Sequence, residues 1–357
     1  MKVGVLGAGA IAFASAALLA ERGHEPILWS PSGRRTVKLA FGEPLRASGA
    51  ISWVGPVRVA QTVQEAVSGA DAVLVAVDAA GHRPVLEAAS PYVRNNQAII
   101  ISAAYALSAL HLSKAVKSRG LHVPIVSWSA TIATAHQESL TEVNVRIVRP
   151  MMDIAVFEEG GSGRGLEVCQ TLFGERFRQK ESALEVALIA NSNPVFHVPV
   201  TLLNVTRVEQ KEGWITYERT TECVSRLVEA LDAERVAIGA AYGFSIPTVN
   251  EHFHHSFGVP LGSMAAMMAS LFQRGLKPKG ALSVAHRHIS QDIPWGLVFA
   301  SKIGKMAGVF TPMHDAVIAL ASTALGQDFE RAWTSGALID CDRLSKADML
   351  RLSRTGG

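Results

Sequence analysis

The 357-residue sequence contains only three cysteines, Cys169, Cys223 and Cys341, and no two of them have CxxC spacing. This scarcity excludes a disulfide framework and a zinc knuckle, and it is typical of a reducing cytoplasm, where we expect the protein. An excess of one charge is also missing, because 34 basic residues face 31 acidic ones and the net charge is +3. Without a block of like charges, neither nucleic acid nor an anionic membrane is indicated as a partner.

The sequence also lacks an uninterrupted hydrophobic run long enough to cross a membrane. Residues 1–20 resemble a signal peptide with a cleavage site at 14–16, but Gly4, Gly7 and Gly9 interrupt the apolar core. The segments 186–206 and 252–273 have no Asp, Glu, Lys or Arg, yet both contain histidine and proline, which are awkward in lipid. We therefore predict buried segments and no membrane span.

A glycine-rich turn follows the first predicted strand, residues 2–6, and opens a predicted helix that runs to about Arg22. A second strand is predicted at 25–29, so the turn lies inside a complete strand–helix–strand unit. Gly7 permits the tight turn, Gly9 lets the backbone approach a pyrophosphate, and Ala12 keeps helix and strand close. The unit predicts a dinucleotide site at the amino terminus of the helix, with Ala10 and Ile11 completing the turn.

The end of the second strand indicates which dinucleotide is bound. An NAD site usually has Asp or Glu there for the ribose 2′-hydroxyl, and residues 29–35 contain neither. Ser30 and Ser32 can donate hydrogen bonds, and the guanidinium groups of Arg34 and Arg35 can pair with a 2′-phosphate. We predict NADPH as the cofactor rather than NADH.

The strand–helix alternation continues with strands predicted at 52–60, 72–77, 96–102, 124–127, 143–148 and 153–157. We assign Val77, at the end of the second of these, to the cofactor site. From about Ala183, helical periodicity replaces the strand–helix alternation, at residues 183–189, 220–239, 263–272, 295–307 and 313–325. The predicted fold is α/β: a Rossmann-type doubly wound sheet in residues 1–180 and a separate all-α domain in 181–357, joined by a polar connector that contains Arg176, Arg178 and Lys180. The helices 295–307 and 313–325 are apolar enough for a homodimer interface or for the domain interior.

Two segments of the second half could carry chemistry. The first, 191–197, reads N-x-N-P-x-x-H, and the second, 286–292, reads H-R-x-x-x-x-D. A histidine in an apolar segment is usually a core residue, and Asp292 could simply cap the next helix.

Together with the GxGxxA turn, these motifs resemble the octopine/nopaline dehydrogenase family, the opine dehydrogenases, in the same order across nearly the whole chain. The bacterial octopine synthase type is similar in length and also lacks an acid after the second strand. The resemblance implies a catalytic dyad of His197 and Asp292, with Arg287 binding a substrate carboxylate. Asn193 and Thr131 are placed in the same substrate site. The resemblance also implies that NADPH reduces the imine formed from an amino acid and a 2-oxo acid such as pyruvate.

One departure concerns the amino acid. Relatives that use arginine have an acid in the segment that corresponds to 126–131, where this chain has none. We therefore expect a neutral or apolar amino acid.

Two other functions stay open from the sequence. Reductases similar to ketopantoate reductase or glycerol-3-phosphate dehydrogenase use a catalytic lysine, which Lys302 or Lys305 would have to supply. A nucleotide-sensing protein would bind NADPH without turnover. His252, His254 and His255 form an H-x-H-H pattern, but without cysteine or clustered carboxylates we predict no metal and place them in a loop or pocket wall.

Overall fold

The computed structural model describes residues 1–336 and 339–357, with the side chains of residues 159 and 335 also outside the description. The chain divides into two units, Met1–Ala187 with Leu350–Gly357, and Leu188–Met349. The sequence placed the boundary at 180/181 and the whole carboxyl terminus in the second domain. The unit boundary falls later in the chain, and the last residues belong to the first unit.

The first unit contains two sheets. Their strands are β1 (Lys2–Leu6), β2 (Glu25–Trp29), β3 (Leu45–Gly49), β4 (Trp53–Gly55), β5 (Arg58–Val59), β6 (Ala72–Val75), β7 (Ala98–Ile101), β8 (Ile125–Trp128), β9 (Ala133–Gln137), β10 (Glu142–Val148), β11 (Met152–Phe157) and β12 (Phe177–Lys180). The larger sheet has eight strands in the order β12-β11-β8-β7-β6-β1-β2-β5. Neighbours from β8 to β5 are parallel, whereas β11 runs antiparallel to β8 and parallel to β12. This arrangement confirms the predicted Rossmann-type sheet.

The smaller sheet has the order β4-β3-β10-β9 and was not predicted. The predicted strand 52–60 is wrong as one element, because β4 and β5 lie in different sheets, separated by Pro56, which has no N–H to donate. Strand β10 pairs in parallel with β3 and so does not extend the larger sheet.

The polar connector predicted at 176–180 is also wrong. It is the edge strand β12, held to β11 partly through Arg178, which donates two hydrogen bonds to Asp153 at 2.5 and 3.0 Å.

Helix α1 lies between the two sheets of this unit. The helices of the unit are α1 (Ala10–Glu21), α2 (Val37–Ala40), α3 (Val63–Ser68), α4 (Ala79–Ala89), α5 (Ser108–Lys117), α6 (Arg164–Phe173) and α7 (Ala183–Ala190), the last of which crosses the unit boundary. Helix α1 packs against β1 and β2 on one side and against β3, β9 and β10 on the other. It is apolar on all sides, with Phe13 and Leu19 fully buried, as expected of a helix without a solvent face. The stretch that resembled a signal peptide is thus packed core.

The second unit is helical, which confirms the predicted all-α domain. Its helices are α8 (Ser192–Leu202), α9 (Val205–Glu209), α10 (Glu222–Ala241), α11 (Val249–Phe257), α12 (Met264–Gln273), α13 (Arg287–Ser290), α14 (Phe299–Met306), α15 (Pro312–Leu325) and α16 (Phe329–Gly336). A π-helix, Ile293–Val298, precedes α14, and an isolated bridge joins Ile215 to Lys279. The final helix, α17 (Lys346–Thr355), ends in the first unit. No helix among the described residues is both long and apolar enough to span a membrane.

Candidate active site

The glycine turn joins three strands at the carboxyl edge of the larger sheet. Gly7 has φ +146° and donates its N–H to the carbonyl of Trp29 at 2.8 Å. A Cβ on Gly7 would lie 2.2 Å from the carbonyl oxygen of Ala76 and 3.3 Å from Cβ of Ala12. Only glycine fits, so the helix and strand approach closely, as the sequence predicted, and the end of β6 approaches the same turn.

The space beyond Gly9 is open. Gly9 is the amino-terminal cap of α1, and a Cβ built on it would have a single neighbour within 4 Å, Nη1 of Arg35 at 3.8 Å. Nearby in the fold, at the end of β2, Ser30 Oγ is buried and has no hydrogen-bond partner among the described residues. An open helix amino terminus and an unpaired hydroxyl fit the pyrophosphate and ribose of a dinucleotide.

The other predicted cofactor residues surround this turn. Ser32, Arg34 and Arg35 are exposed on the segment after β2, where Ser32 Oγ accepts a hydrogen bond from the Arg34 N–H at 3.4 Å. The guanidinium of Arg35 lies beside Gly9. Ala10 and Ile11 start α1, and Val77 follows β6; all three are half-buried.

In the second unit, His197 and Asp292 form a hydrogen-bonded pair. His197 lies on α8, and its Nδ1 is 2.8 Å from Oδ2 of Asp292, the residue before the π-helix. The Asp292 side chain is fully buried and that of His197 is 16% exposed. The second carboxylate oxygen, Oδ1, accepts a hydrogen bond from Nε2 of Gln291 at 3.1 Å.

The surroundings of this pair decide where its protons lie. Burial alone would raise the pKa of Asp292, but the hydrogen bond and charge of His197, the charge of Arg287 and the Gln291 amide together lower it. An ionised carboxylate only accepts, so His197 carries a proton on Nδ1 and its Nε2 has a free lone pair when the ring is neutral. Burial lowers the pKa of His197, and Asp292 opposes this shift without cancelling it.

A close helix crossing brings the two residues together. A Cβ on Gly296, in the π-helix, would lie 2.4 Å from Cβ and Cγ of Pro194 on α8. The amide of Asn191 donates to the carbonyl of Gly296 at 3.1 Å, which fixes the same crossing. A side chain at position 296 would force α8 away from the segment that carries Asp292.

A second imidazole supports His197. His288 stacks on its ring with centroids 4.1 Å apart and an interplanar angle of 16°. Nδ1 of His288 lies 3.2 Å from Oγ1 of Thr201. Burial first, and then the charges of His197, Arg287 and His286, lower the pKa of His288 well below its usual value, so the ring is neutral.

The sequence motifs did not predict His288, Thr201 or Gln291 as parts of this site. Thr201 is four residues after His197 and therefore on the same face of α8, a signal that was available once the helix was recognised.

The remaining predicted residues lie as follows. Arg287 is exposed at the start of α13, and its charge acts on both His197 and Asp292. Asn193 is half-buried near the start of α8. Thr131 belongs to the first unit, where its hydroxyl donates to the carbonyl of Ala133 at 2.7 Å.

The lysine and histidine alternatives take other positions. Lys302 is 3.4 Å from the carboxylate of Asp342, in an ion pair separate from the His197–Asp292 pair. His252, His254 and His255 lie on α11 and not in a loop, and His254 Nδ1 donates to the carbonyl of Val259 at 2.7 Å. Within residues 1–336 and 339–357, no group of three or more His, Cys, Asp and Glu could hold a metal ion.

Known proteins resemble both units. Residues 179–325 match the family model for the NAD/NADP octopine/nopaline dehydrogenase alpha-helical domain, and residues 2–105 match that for the coenzyme F420-dependent NADP oxidoreductases. An opine dehydrogenase of Arthrobacter sp. (strain 1C) is 29% identical over 332 residues, which cover 92% of this chain and 91% of that protein. The chain belongs to the opine dehydrogenase family.

Solved structures of similar proteins have the same fold. An octopine dehydrogenase in complex with NADH and agmatine gives a TM-score of 0.80 at 18% identity and covers 100% of this chain and 98% of that one. A yersinopine dehydrogenase with NADP⁺ bound gives 0.73 at 16% identity, covering 100% and 99%. The family model and the Arthrobacter relative confirm the motif resemblance: the chain is an NAD(P)-dependent opine dehydrogenase, an oxidoreductase that acts on CH–NH bonds of small-molecule substrates.

The paired geometry predicts the effect of Asp292→Asn on His197. Asparagine keeps an acceptor for Nδ1–H but removes the negative charge that raises the pKa of His197, while burial remains. We expect the pKa of His197 to fall further, measured by NMR titration of the histidine ring signals. The exposed Asp342→Asn serves as control and leaves the titration unchanged; an unchanged or raised pKa in Asp292→Asn would contradict the coupling.

Proposed function

We propose that this chain is an NADPH-dependent opine dehydrogenase that condenses a neutral or apolar amino acid with a 2-oxo acid such as pyruvate. The observation that carries the proposal is the pair of His197 and Asp292, 2.8 Å apart, inside the helical domain that the family model matches. We place the reaction in the cytoplasm, in keeping with the three free cysteines.

The reaction joins two substrates before it reduces them. The amino nitrogen attacks the keto carbon to give a carbinolamine, which loses water to form an imine. NADPH, held by the glycine turn and the segment after β2, would supply the hydride that reduces the imine carbon. With one proton on nitrogen, the product is a secondary amine that carries both carboxylates.

His197 acts as the acid–base group in this proposal. Its free Nε2 takes a proton from the substrate ammonium, which frees the nitrogen lone pair for attack. The imidazolium then returns a proton to the departing hydroxyl of the carbinolamine, so the ring is restored. Asp292 holds the Nδ1–H tautomer and stabilises the charged ring in between.

Arg287 provides the carboxylate site. It is exposed yet close enough for its charge to act on the His197–Asp292 pair, and its guanidinium can bind a carboxylate through two parallel hydrogen bonds. A 2-oxo acid held this way places its keto carbon beside the acid–base group. Asn193, on the same helix as His197, and Thr131 complete the proposed substrate residues.

The surroundings of the glycine turn support NADPH over NADH. Ser30 directly follows β2, where an NAD site has a carboxylate, and Arg35 lies beside Gly9, so neither residue would repel a 2′-phosphate. The segment 126–131 offers no acid to a guanidinium, which supports a neutral or apolar amino acid.

The homodimer stays a prediction. On α15, one of the two apolar segments that suggested it, Leu320 is 55% exposed, and Phe310 just before this helix is 89% exposed.

A substrate screen tests the proposal directly. NADPH oxidation is followed with pyruvate, 2-oxoglutarate or oxaloacetate against the common amino acids, and products are identified by mass spectrometry. We expect oxidation only when amine and 2-oxo acid are both present. Reduction of ketopantoate or dihydroxyacetone phosphate without amine would contradict the proposal and indicate a lysine-dependent reductase. NADPH binding without any turnover would indicate a nucleotide-sensing protein.

Kinetics of the paired residues test their role. Because His197 moves the protons, His197→Ala is expected to lower kcat by roughly 10²–10⁴ with NADPH binding preserved. Asp292→Asn acts through the same group, so the double variant is expected to be little worse than the worse single one. His255→Ala, an exposed histidine of the same unit, is the control. Additive losses of kcat in the double variant, or a fully active His197→Ala enzyme, would contradict the assignment of a catalytic dyad.

Replacing Arg34 and Arg35 with alanine tests the cofactor assignment. A lost charge-assisted bond costs roughly 1.5–3 kcal/mol, so the KM for NADPH is expected to rise about tenfold or more, with little change for NADH. The exposed Lys38→Ala on α2 controls for a general loss of positive charge. Equal weakening of both cofactors would show that the arginines act elsewhere.

Arg287→Ala tests the carboxylate site. The KM for the 2-oxo acid or the amino acid is expected to rise while NADPH affinity is retained, and Arg287→Lys is expected to rescue poorly because lysine lacks the planar fork. Arg343→Ala, at an exposed arginine of the same unit, is the control. Unchanged kinetics for both carboxylate substrates would exclude the assignment.

A further inference from the structure

A second candidate binding site lies in the first unit, at the carboxyl end of α1. It is a cleft of about 240 Å³ with an apolar wall formed by Leu18, Ile51, Ile132 and Phe173. Arg22 and Arg176 also line it. The glycine turn lies at the opposite end of α1, about 17 Å away at 1.5 Å per residue, so the cleft is separate from the dinucleotide site.

The two arginines converge on one point. A Cβ built on Gly174, after α6, would lie 3.6 Å from both terminal nitrogens of Arg22 and 3.7 Å from Nη2 of Arg176. Nη1 of Arg176 donates to the carbonyl of Arg149 at 2.9 Å, which holds that side chain in place. Nε of Arg176 is buried and has no hydrogen-bond partner among the described residues.

This arrangement leaves positive charge uncompensated. Over the described residues, no ion pair joins Arg22 or Arg176 to a carboxylate, although Glu21 also lines the cleft. Burial and the neighbouring charge of Arg22 lower the pKa of Arg176. Arg22 is exposed and water solvates its charge, but its proximity to a second positive charge and the unpaired buried Nε of Arg176 are both unfavourable, and an anion would relieve both.

We propose that this cleft binds a small organic anion, a carboxylate attached to a short apolar body. The carboxylate accepts hydrogen bonds from the two guanidinium groups, and the carbon chain packs on the wall of Leu18, Ile51 and Phe173. The cleft is smaller than the roughly 300–1,000 Å³ of drug-sized sites, which limits the ligand to a small molecule. A simple aliphatic acid and an apolar amino acid, its ammonium towards Glu21, share this chemistry.

Calorimetric titration with hexanoate, hexan-1-ol and leucine tests the site. We expect hexanoate or leucine to bind with a millimolar Kd, and hexan-1-ol at least tenfold more weakly than hexanoate. The double variant Arg22→Gln/Arg176→Gln is expected to weaken binding of the anion at least tenfold. Val148→Phe, which fills the cleft from β10 and keeps both arginines, is expected to do the same. Arg46→Gln, an exposed arginine of the smaller sheet, is the matched control.

Two further measurements separate this site from the proposed active site. NADPH binding is measured on every variant to show that the first unit is folded, and Arg287→Ala is titrated alongside. Binding lost in the cleft variants and retained in Arg287→Ala supports the proposal, whatever the outcome of the substrate screen. Tighter binding of leucine than hexanoate identifies an amino acid site, and the reverse a simple carboxylate site. Three results would overturn the proposal. These are equal affinity of wild type and folded cleft variants, equal affinity for hexanoate and hexan-1-ol, and no binding of either hexanoate or leucine.

Discussion

The buried carboxylate of Asp292 has to be paired, and much of the second unit follows from that requirement. A fully buried charge without partners costs several kcal/mol, so the chain must bring donors to it. His197 and Gln291 supply one each. His197 can reach only because Gly296 has no side chain and lets α8 come into contact with the π-helix. The pair to which we assign the acid–base chemistry is therefore also a condition for packing this unit.

Helix α1 has the equivalent position in the first unit. Because sheets cover it on both sides, its axis is fixed by packing along its whole length. Gly7 sets the start of the helix against the strand edge, so packing holds the open amino terminus beyond Gly9 in place. At the carboxyl end of the same helix, Arg22 lines the cleft that we propose as a second binding site. One rigid helix, α1, therefore positions both candidate anion sites, one at each of its ends.

The sequence predicted the fold where neighbouring residues determine it. Strands 2–6 and 25–29 were predicted with the bounds that the structure has, since apolar runs between glycine and turn residues mark buried parallel strands. The smaller sheet was missed because it pairs β3 with β10, about a hundred residues apart, and such pairing leaves no local pattern. Edge strand β12 is polar and read as a connector. Helix α8 was missed because Pro194 and Pro199 are unfavourable in helices, yet tertiary packing retains it.

The candidate site shows the same division. Ordered motifs predicted His197 and Asp292, which the structure brings into contact, but the stacked His288 and the π-helix depend on tertiary contacts that no spacing encodes. Those contacts set the burial and charge around His197 on which the proposed chemistry depends. Burial favours a neutral His197, ready to accept a proton, whereas Asp292 favours the charged ring that forms once the proton is taken. Without burial, the ring would hold its proton too strongly and release it too slowly. Without the carboxylate, the ring would accept a proton too weakly. In the proposed mechanism, this opposition between burial and the carboxylate lets one imidazole act as base and then as acid in the same turnover.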